Sequence, residues 1–172
     1  MLTGPKKKPT LKTGDYHLVV NDATETCKVF DHTGKLLHTL PALAKGVYGP
    51  GVNVTGGDAP PGLYKMGQLY RTQVGEPRAI WMSYGALCWD LEEQENQEAS
   101  RGRAGVALHG GGTGATPHYL APRQSLLPTL GCIRMHNEDL EKIILPLTHE
   151  WKKTKWVKRP NTVWLSVYQD DK

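Results

Sequence analysis

At 172 residues, with 38% apolar residues and a net charge of +4, the chain has room for one ordinary domain and little for a second. No apolar stretch is long enough for a bilayer-spanning helix, and the basic start MLTGPKKKPTLKTGDY lacks the apolar run of a signal peptide, so the expectation is a soluble protein with no visible export signal. Its 19 glycines and 12 prolines favour turns, and with them a sheet-rich fold over a helical bundle.

In chain order, residues 1–14 read as a flexible basic arm and residues 15–172 as the domain proper. His17 to Val20, Cys27 to Phe30 and Lys35 to Leu40 read as short strands, joined by the turn residues Asn21-Asp22 and His32-Thr33-Gly34. A Gly/Pro-rich stretch from Gly46 to Gly62 leads into a strand at Leu63 to Met66. Ala79 to Tyr84 and Ala86 to Leu91 are further strand candidates, with Gly85 as a break. Glu92 to Gly105 is a polar exposed loop. Val106 to Leu108 is a short apolar run that delivers His109 at its end. Gly110 to Pro128 is a long loop of the kind that often carries function. From Asn137 to Trp151 the apolar positions Leu140, Ile143, Ile144 and Leu147 fall at helical spacing. Asn137 suits the N-cap, and Pro146 should kink or end the helix. Thr162 to Tyr168 alternates as a closing strand.

The basic residues gather at Lys6 to Lys8 and at Lys152 to Lys158. The plain reading is a solvated arm and a solvated helix face; attraction to an anionic polymer, nucleic acid or a bacterial wall, is the alternative. No nucleic-acid motif is present, and the aromatics form no stacking pattern with the basic stretches.

Three cysteines leave at least one free thiol, and their spacing matches neither a zinc knuckle nor a disulfide framework. Cys27 and Cys88 lie in strand-like apolar runs, where a buried, inert thiol is the default. Cys132 differs, since Gly131 precedes it and Arg134 follows two residues on. A cysteine attacks acyl groups as its thiolate, so it needs a base nearby and N–H donors for the oxyanion. Arg134 can favour the thiolate or meet a substrate carboxylate. His109, at a strand end before Gly110-Gly111-Gly112, is the best base; His118 is the second choice if its loop folds back. His136 reads as a helix-capping neighbour.

Leu108-His109-Gly110, followed by Thr129-Leu130-Gly131-Cys132-Ile133-Arg134-Met135-His136-Asn137, resembles the HG and S/T-x-G-C-x-R elements of the L,D-transpeptidase catalytic domain family (YkuD-type). Asp58-Ala59-Pro60-Pro61-Gly62-Leu63-Tyr64 is similar to that family's upstream T-P-x-G-x-F/Y segment. The resemblance implies a mainly β, sandwich- or barrel-like domain with a short helix after the catalytic cysteine. It implies Cys132 as nucleophile and His109 as base, with the Gly110 carbonyl orienting the ring and amides near Gly131 and Cys132 at the oxyanion. Thr129, Arg134, His118 and Tyr119 fall on the substrate side. The implied substrate is a peptidoglycan stem peptide, attacked at the meso-diaminopimelate–D-alanine bond, by a monomer at the cell wall that uses no cofactor and no metal. Cross-linking and hydrolytic trimming of stems are both open. Many members carry His where this chain has Leu130, and the interval from His109 to Cys132 is longer than the resemblance leads one to expect.

Other readings are weaker. His109-Gly110-Gly111-Gly112 also resembles the oxyanion strand of lipases, but no serine sits in a G-x-S-x-G elbow. A zinc site from Cys132, His109, His118 and His136 lacks regular ligand spacing. GGGTG has no following Lys for phosphate. The competitor from another class is a non-catalytic wall-binding module on the same fold.

Overall fold

In the computed structural model the described residues are 2–48, 57–71, 82–99, 104–112 and 119–170. The strands are β1 (Leu2–Thr3), β2 (Tyr16–Asn21), β3 (Thr26–Asp31), β4 (Leu36–Leu43), β5 (Gly62–Arg71), β6 (Leu87–Glu93), β7 (Ala107–His109), β8 (Ile133–Met135), β9 (His149–Lys152), β10 (Lys155–Lys158) and β11 (Val163–Asp170). One helical segment, α1, is α-helical at Asn137–Asp139, π-helical at Leu140–Ile144 and α-helical again at Leu145–Thr148.

Strand formation follows the alternation of the sequence. Leu18 and Val20 of β2 point inward and face Val29 and Cys27 of β3. Asn21 Oδ1 takes the N–H of Ala23 (2.9 Å), and Asp31 Oδ1 takes that of Thr33 (2.8 Å), so the turn residues fold back on their own backbone. The large sheet runs β1-β11-β2-β3-β4-β8-β7-β6-β5, and a further antiparallel pairing of β11 with β5 closes it into a barrel. β11 is parallel to β2, and β7 is parallel to β8. Trp89, Tyr64, Leu18, Leu108, Ile133 and Leu165 fill the interior together with Leu140, Ile144 and Leu145 of α1. Burial of such side chains is worth about 1.5–3 kcal/mol each relative to exposure. Trp89 Nε1–H, buried with them, donates to Thr148 Oγ1 at 3.2 Å.

The structure departs from the sequence expectations at several places. Asn137 is the first helical residue and His136 stands at the N-cap without a side-chain cap bond, because the Asn137 side chain is engaged in long-range bonds. Pro146 does not end the helix. It sits in the first turn of the last α-helical stretch, directly after the π-turn, where its missing N–H breaks least. The helix stops at Thr148, and the residues assigned to its end form the antiparallel hairpin β9–β10 instead. Residues 82–84, expected to be a strand, are helical, while 79–81 lie outside the described residues. The N-terminal stretch expected as an arm meets the body: Leu2 and Thr3 pair with Asp170 and Gln169, and the N–H groups of Lys6 and Lys7 donate to the Glu95 carboxylate.

Candidate active site

Cys132 directly precedes β8, at the point where the chain leaves a tight turn. Thr129 organises that turn. Its Oγ1 accepts the N–H groups of Gly131 (3.0 Å) and Cys132 (2.7 Å) and donates to the Cys132 carbonyl (2.8 Å). Gly131 has φ +113°, a left-handed conformation in which any side chain is strained. Thr129 is in turn fixed from the other side, since its N–H donates to Lys45 O (3.2 Å) and its carbonyl accepts from Val47 N–H (3.1 Å). Asp58 Oδ1 holds the intervening Gly46 N–H at 2.8 Å. The Cys132 turn thus hangs on a backbone ladder braced by a buried carboxylate.

His109 ends β7, opposite Arg134 of β8 and Cys88 of β6 in the strand register. It is 2% exposed. Its Nδ1 lies 2.7 Å from the Gly110 carbonyl, an acceptor only, so Nδ1 carries the proton and the neutral ring keeps its lone pair on Nε2. Burial pushes the His109 pKa down to about 4; the Gly110 bond opposes this, and the Arg134 charge adds to it. Tyr84 packs edge-on against the ring, centroids 4.8 Å apart.

Arg134 is 3% exposed. Its guanidinium donates to the carbonyls of Leu127 (2.6 Å), Ser83 (3.1 Å) and Gly112 (3.1 Å), tying three loops together beneath the site. Both terminal nitrogens are therefore committed to the protein in this state. Its Nε is buried with no hydrogen-bond partner among the described residues. Burial lowers its pKa, against an opposite pull from the nearby Cys132.

The loop after His109 is held by side chains distant in sequence. Asn137 Oδ1 accepts Gly111 N–H at 3.0 Å, and its amide donates to the carbonyls of Tyr119 (2.8 Å) and Ala121 (2.9 Å). The buried Gln124 donates to the carbonyls of Gly111 (3.1 Å) and Met135 (3.0 Å) and accepts Asn137 N–H at 2.9 Å. A Cβ at Gly110 would collide with Asn137 Oδ1, so a larger residue there displaces the Asn137 side chain from its bonds.

Cys132 and His109 line one cavity of about 270 Å³, with Tyr84, Thr129, Leu130 and Arg134 in its wall. Leu130 is 64% exposed at its mouth. Of the other residues expected at the site, Tyr119 lies outside the cavity lining and contributes its carbonyl to Asn137, and His118 falls outside the described residues. Tyr84, Gln124 and Asn137 are additions that sequence reasoning missed. Each meets the site across a long stretch of chain, and only the position of Tyr84 just before Gly85 gives any local signal. All three cysteines are free; burial pushes the thiols of Cys27 and Cys88 up to about 12. Among the described residues no group of three His, Cys, Asp or Glu side chains is placed to hold a metal ion. None of their helices is long and apolar enough to cross a membrane.

A family model for the L,D-transpeptidase catalytic domain matches residues 15–148. No curated protein matches the chain. Among solved structures, that of Bdellovibrio bacteriovorus Bd1075 superposes with a TM-score of 0.56 at 15% identity, over 99% of this chain and 54% of that one. The helical cell shape determining protein Pgp2 from Campylobacter jejuni gives 0.52 at 16% identity, over 88% of this chain and 46% of that one. Mycobacterium tuberculosis L,D-transpeptidase 1 gives 0.46 at 16% identity, over 89% and 62%. At such identities the likeness is one of fold, and the chain spans about half the length of Bd1075 and of Pgp2.

Proposed function

The chain belongs to the L,D-transpeptidase catalytic domain family, and from that premise we propose that it is a cysteine acyltransferase acting on peptidoglycan stem peptides at the cell wall. The observation that supports the proposal is the shared cavity, lined by both Cys132 and a buried His109 whose Nδ1 is tied to the Gly110 carbonyl.

With a pKa of about 4, His109 is neutral at neutral pH and can act as a base through Nε2. It takes the Cys132 proton as the sulfur bonds to the carbonyl carbon of the meso-diaminopimelate–D-alanine link. The oxyanion so formed competes with Thr129 Oγ1 for the N–H groups of Gly131 and Cys132. A charged oxygen is the stronger acceptor of the two. The C–N bond then breaks, the imidazolium returns its proton to the departing D-alanine amine, and a thioester remains on Cys132. An acceptor amine gives up a proton to His109 as it attacks the thioester, and the thiolate leaves and is reprotonated. Arg134 supports this chemistry by locking the Ser83, Gly112 and Leu127 carbonyls, and its charge resists protonation of His109 before substrate arrives.

The test is incubation with tetrapeptide-stem muropeptides, read by mass spectrometry beside Cys132→Ala and His109→Ala. The expected result is a cross-linked dimer, or a tripeptide stem where water replaces the amine, absent in both variants. Muropeptides left intact by the wild type yet still bound would replace the catalytic reading with a wall-binding module.

A further inference from the structure

The lysine-rich stretch after α1 plays no part in the chemistry above, and it is built as a projecting surface. β9 and β10 pair Trp151 with Trp156 and Lys152 with Lys155 across a tight turn at Lys153-Thr154, where Lys153 has φ +54°. The indoles meet edge to face, 5.5 Å between centroids. Trp156 packs on the core, whereas Trp151 is 57% exposed. Around them stand Lys152, Lys153, Lys155, Lys158 and Arg159 against the single carboxylate of Glu150, an excess equal to the +4 of the whole chain. Glu150 is itself taken by Lys152 at 2.7 Å and approached by Arg159 at 3.8 Å. The hairpin and the Arg159 that follows it therefore form a strongly basic surface that carries an exposed aromatic face. On its inner side Trp156 lines a cleft of about 180 Å³ together with Arg71, Leu120 and Asn137. Asn137 also holds the Gly111 N–H beside the catalytic histidine.

We propose that the β9–β10 hairpin is a second, non-catalytic docking surface for a carboxylate-bearing peptidoglycan strand. The apolar face of a sugar ring stacks on Trp151 while Lys153, Lys155 and Lys158 meet stem-peptide carboxylates. The choice of this polymer rests on the function proposed above; the surface itself does not. Tryptophan suits the contact because its large ring binds at little entropy cost and keeps a polar edge. A bilayer is disfavoured because the hairpin tip, Lys152 to Lys155, has no apolar side chain to insert. Single-stranded nucleic acid asks for successive stacking platforms, and one exposed indole is short of that.

The experiment is co-sedimentation of the full chain with insoluble peptidoglycan sacculi, in a Cys132→Ala background so that turnover does not intervene. Trp151→Ala and the double variant Lys153→Glu/Lys155→Glu are expected to weaken binding at least tenfold, Trp151→Phe to retain most of it, and added salt to weaken the wild type. In the Cys132-containing protein, the same substitutions should leave turnover of soluble muropeptides unchanged. Wild-type sedimentation by both variants would overturn the proposal, as would hairpin-dependent binding to anionic vesicles or single-stranded DNA in place of sacculi. Hairpin-dependent sedimentation without any muropeptide turnover would sustain the docking surface while removing the catalytic assignment.

Discussion

Thr129 presents one hydroxyl to three backbone groups of the turn that leads into Cys132. Serine preserves the hydroxyl, while valine preserves shape and removes it. Thr129→Ser is therefore expected to keep near-wild-type thioester formation. Thr129→Val leaves the N–H groups of Gly131 and Cys132 without that acceptor at a buried position, which costs about 1–3 kcal/mol of stability. It also lets the sulfur drift, and a displacement on the order of 1 Å lowers rates about 100-fold. Single-turnover acylation with a thioester-trapping substrate, beside thermal unfolding, checks both effects. Equal acylation rates in the serine and valine variants would show that Thr129 only buttresses the fold. Thr129, Cys132 and Arg134 were legible in the sequence as one contiguous motif. The pairing of the Thr129 hydroxyl with the next amides is a local event that the T-x-G-C spacing encodes. The commitment of Arg134 to three carbonyls was not legible, because Ser83, Gly112 and Leu127 come from three separate loops.

At the scale of elements, the short parallel pair β7–β8 sets His109 at the end of one strand and Cys132 just before the other, and α1 pins the described residues of the loop between them. Asn137 performs that pinning from the first residue of the helix, reaching Gly111, Tyr119 and Ala121. Asn137→Ala should lower stability by about 1–3 kcal/mol through the orphaned carbonyls and N–H, and should loosen the Gly110 carbonyl that orients His109. The expected kinetic signature is a fall in kcat larger than any rise in KM. Asn137→Asp, which keeps the acceptor for Gly111 N–H, should recover part of kcat. A change confined to KM in both variants would refute this role. The sequence marked Asn137 as a helix start but assigned its side chain to capping, since local pattern sees only neighbours in the chain. The same blindness explains the hairpin β9–β10. Helical spacing holds from Leu140 to Leu147, and nothing in that period announces that His149 turns extended. The strands β2, β3 and β11 were readable because their alternation is set by one buried face. The closure of β11 onto β5, and with it the barrel, depends on pairings between residues roughly a hundred positions apart and has no local signature.

Over the whole molecule, two buried titratable groups pull stability in opposite directions with pH. His109 has its pKa lowered from 6.5 to about 4 by burial, so its folded form prefers to be neutral. Its contribution is fully present above pH 6.5 and is lost as pH falls through about 4. Asp22 sits at the end of β2, 3% exposed, hydrogen-bonded to Asp58, and its Oδ1 has no partner among the described residues. Burial first, then the Asp58 charge, raise its pKa from 3.8 to about 6, against the pull of Lys45 and with a further push from Glu25. Its protonated form is the one the fold prefers, so its contribution is present below pH 3.8 and is lost as pH rises through about 6. A shift of this size is worth about 3 kcal/mol in each case, and the two windows overlap between about pH 4 and 6. In the wild type they offset one another across that interval. Asp22→Asn removes one term while still offering Asp58 a donor, so the variant should melt increasingly below the wild type as pH drops from 6 to 4. His109→Gln removes the other, and its melting temperature should rise, relative to wild type, over the same descent. For a chain of this length each divergence amounts to roughly 6–12 °C. Surface carboxylates titrate alike in all three proteins and cancel in the differences, so a pH series of thermal unfolding isolates the two groups. Three parallel curves would mean that neither side chain carries its proton as the buried geometry requires, and the neutral resting state assigned to His109 would fall with them.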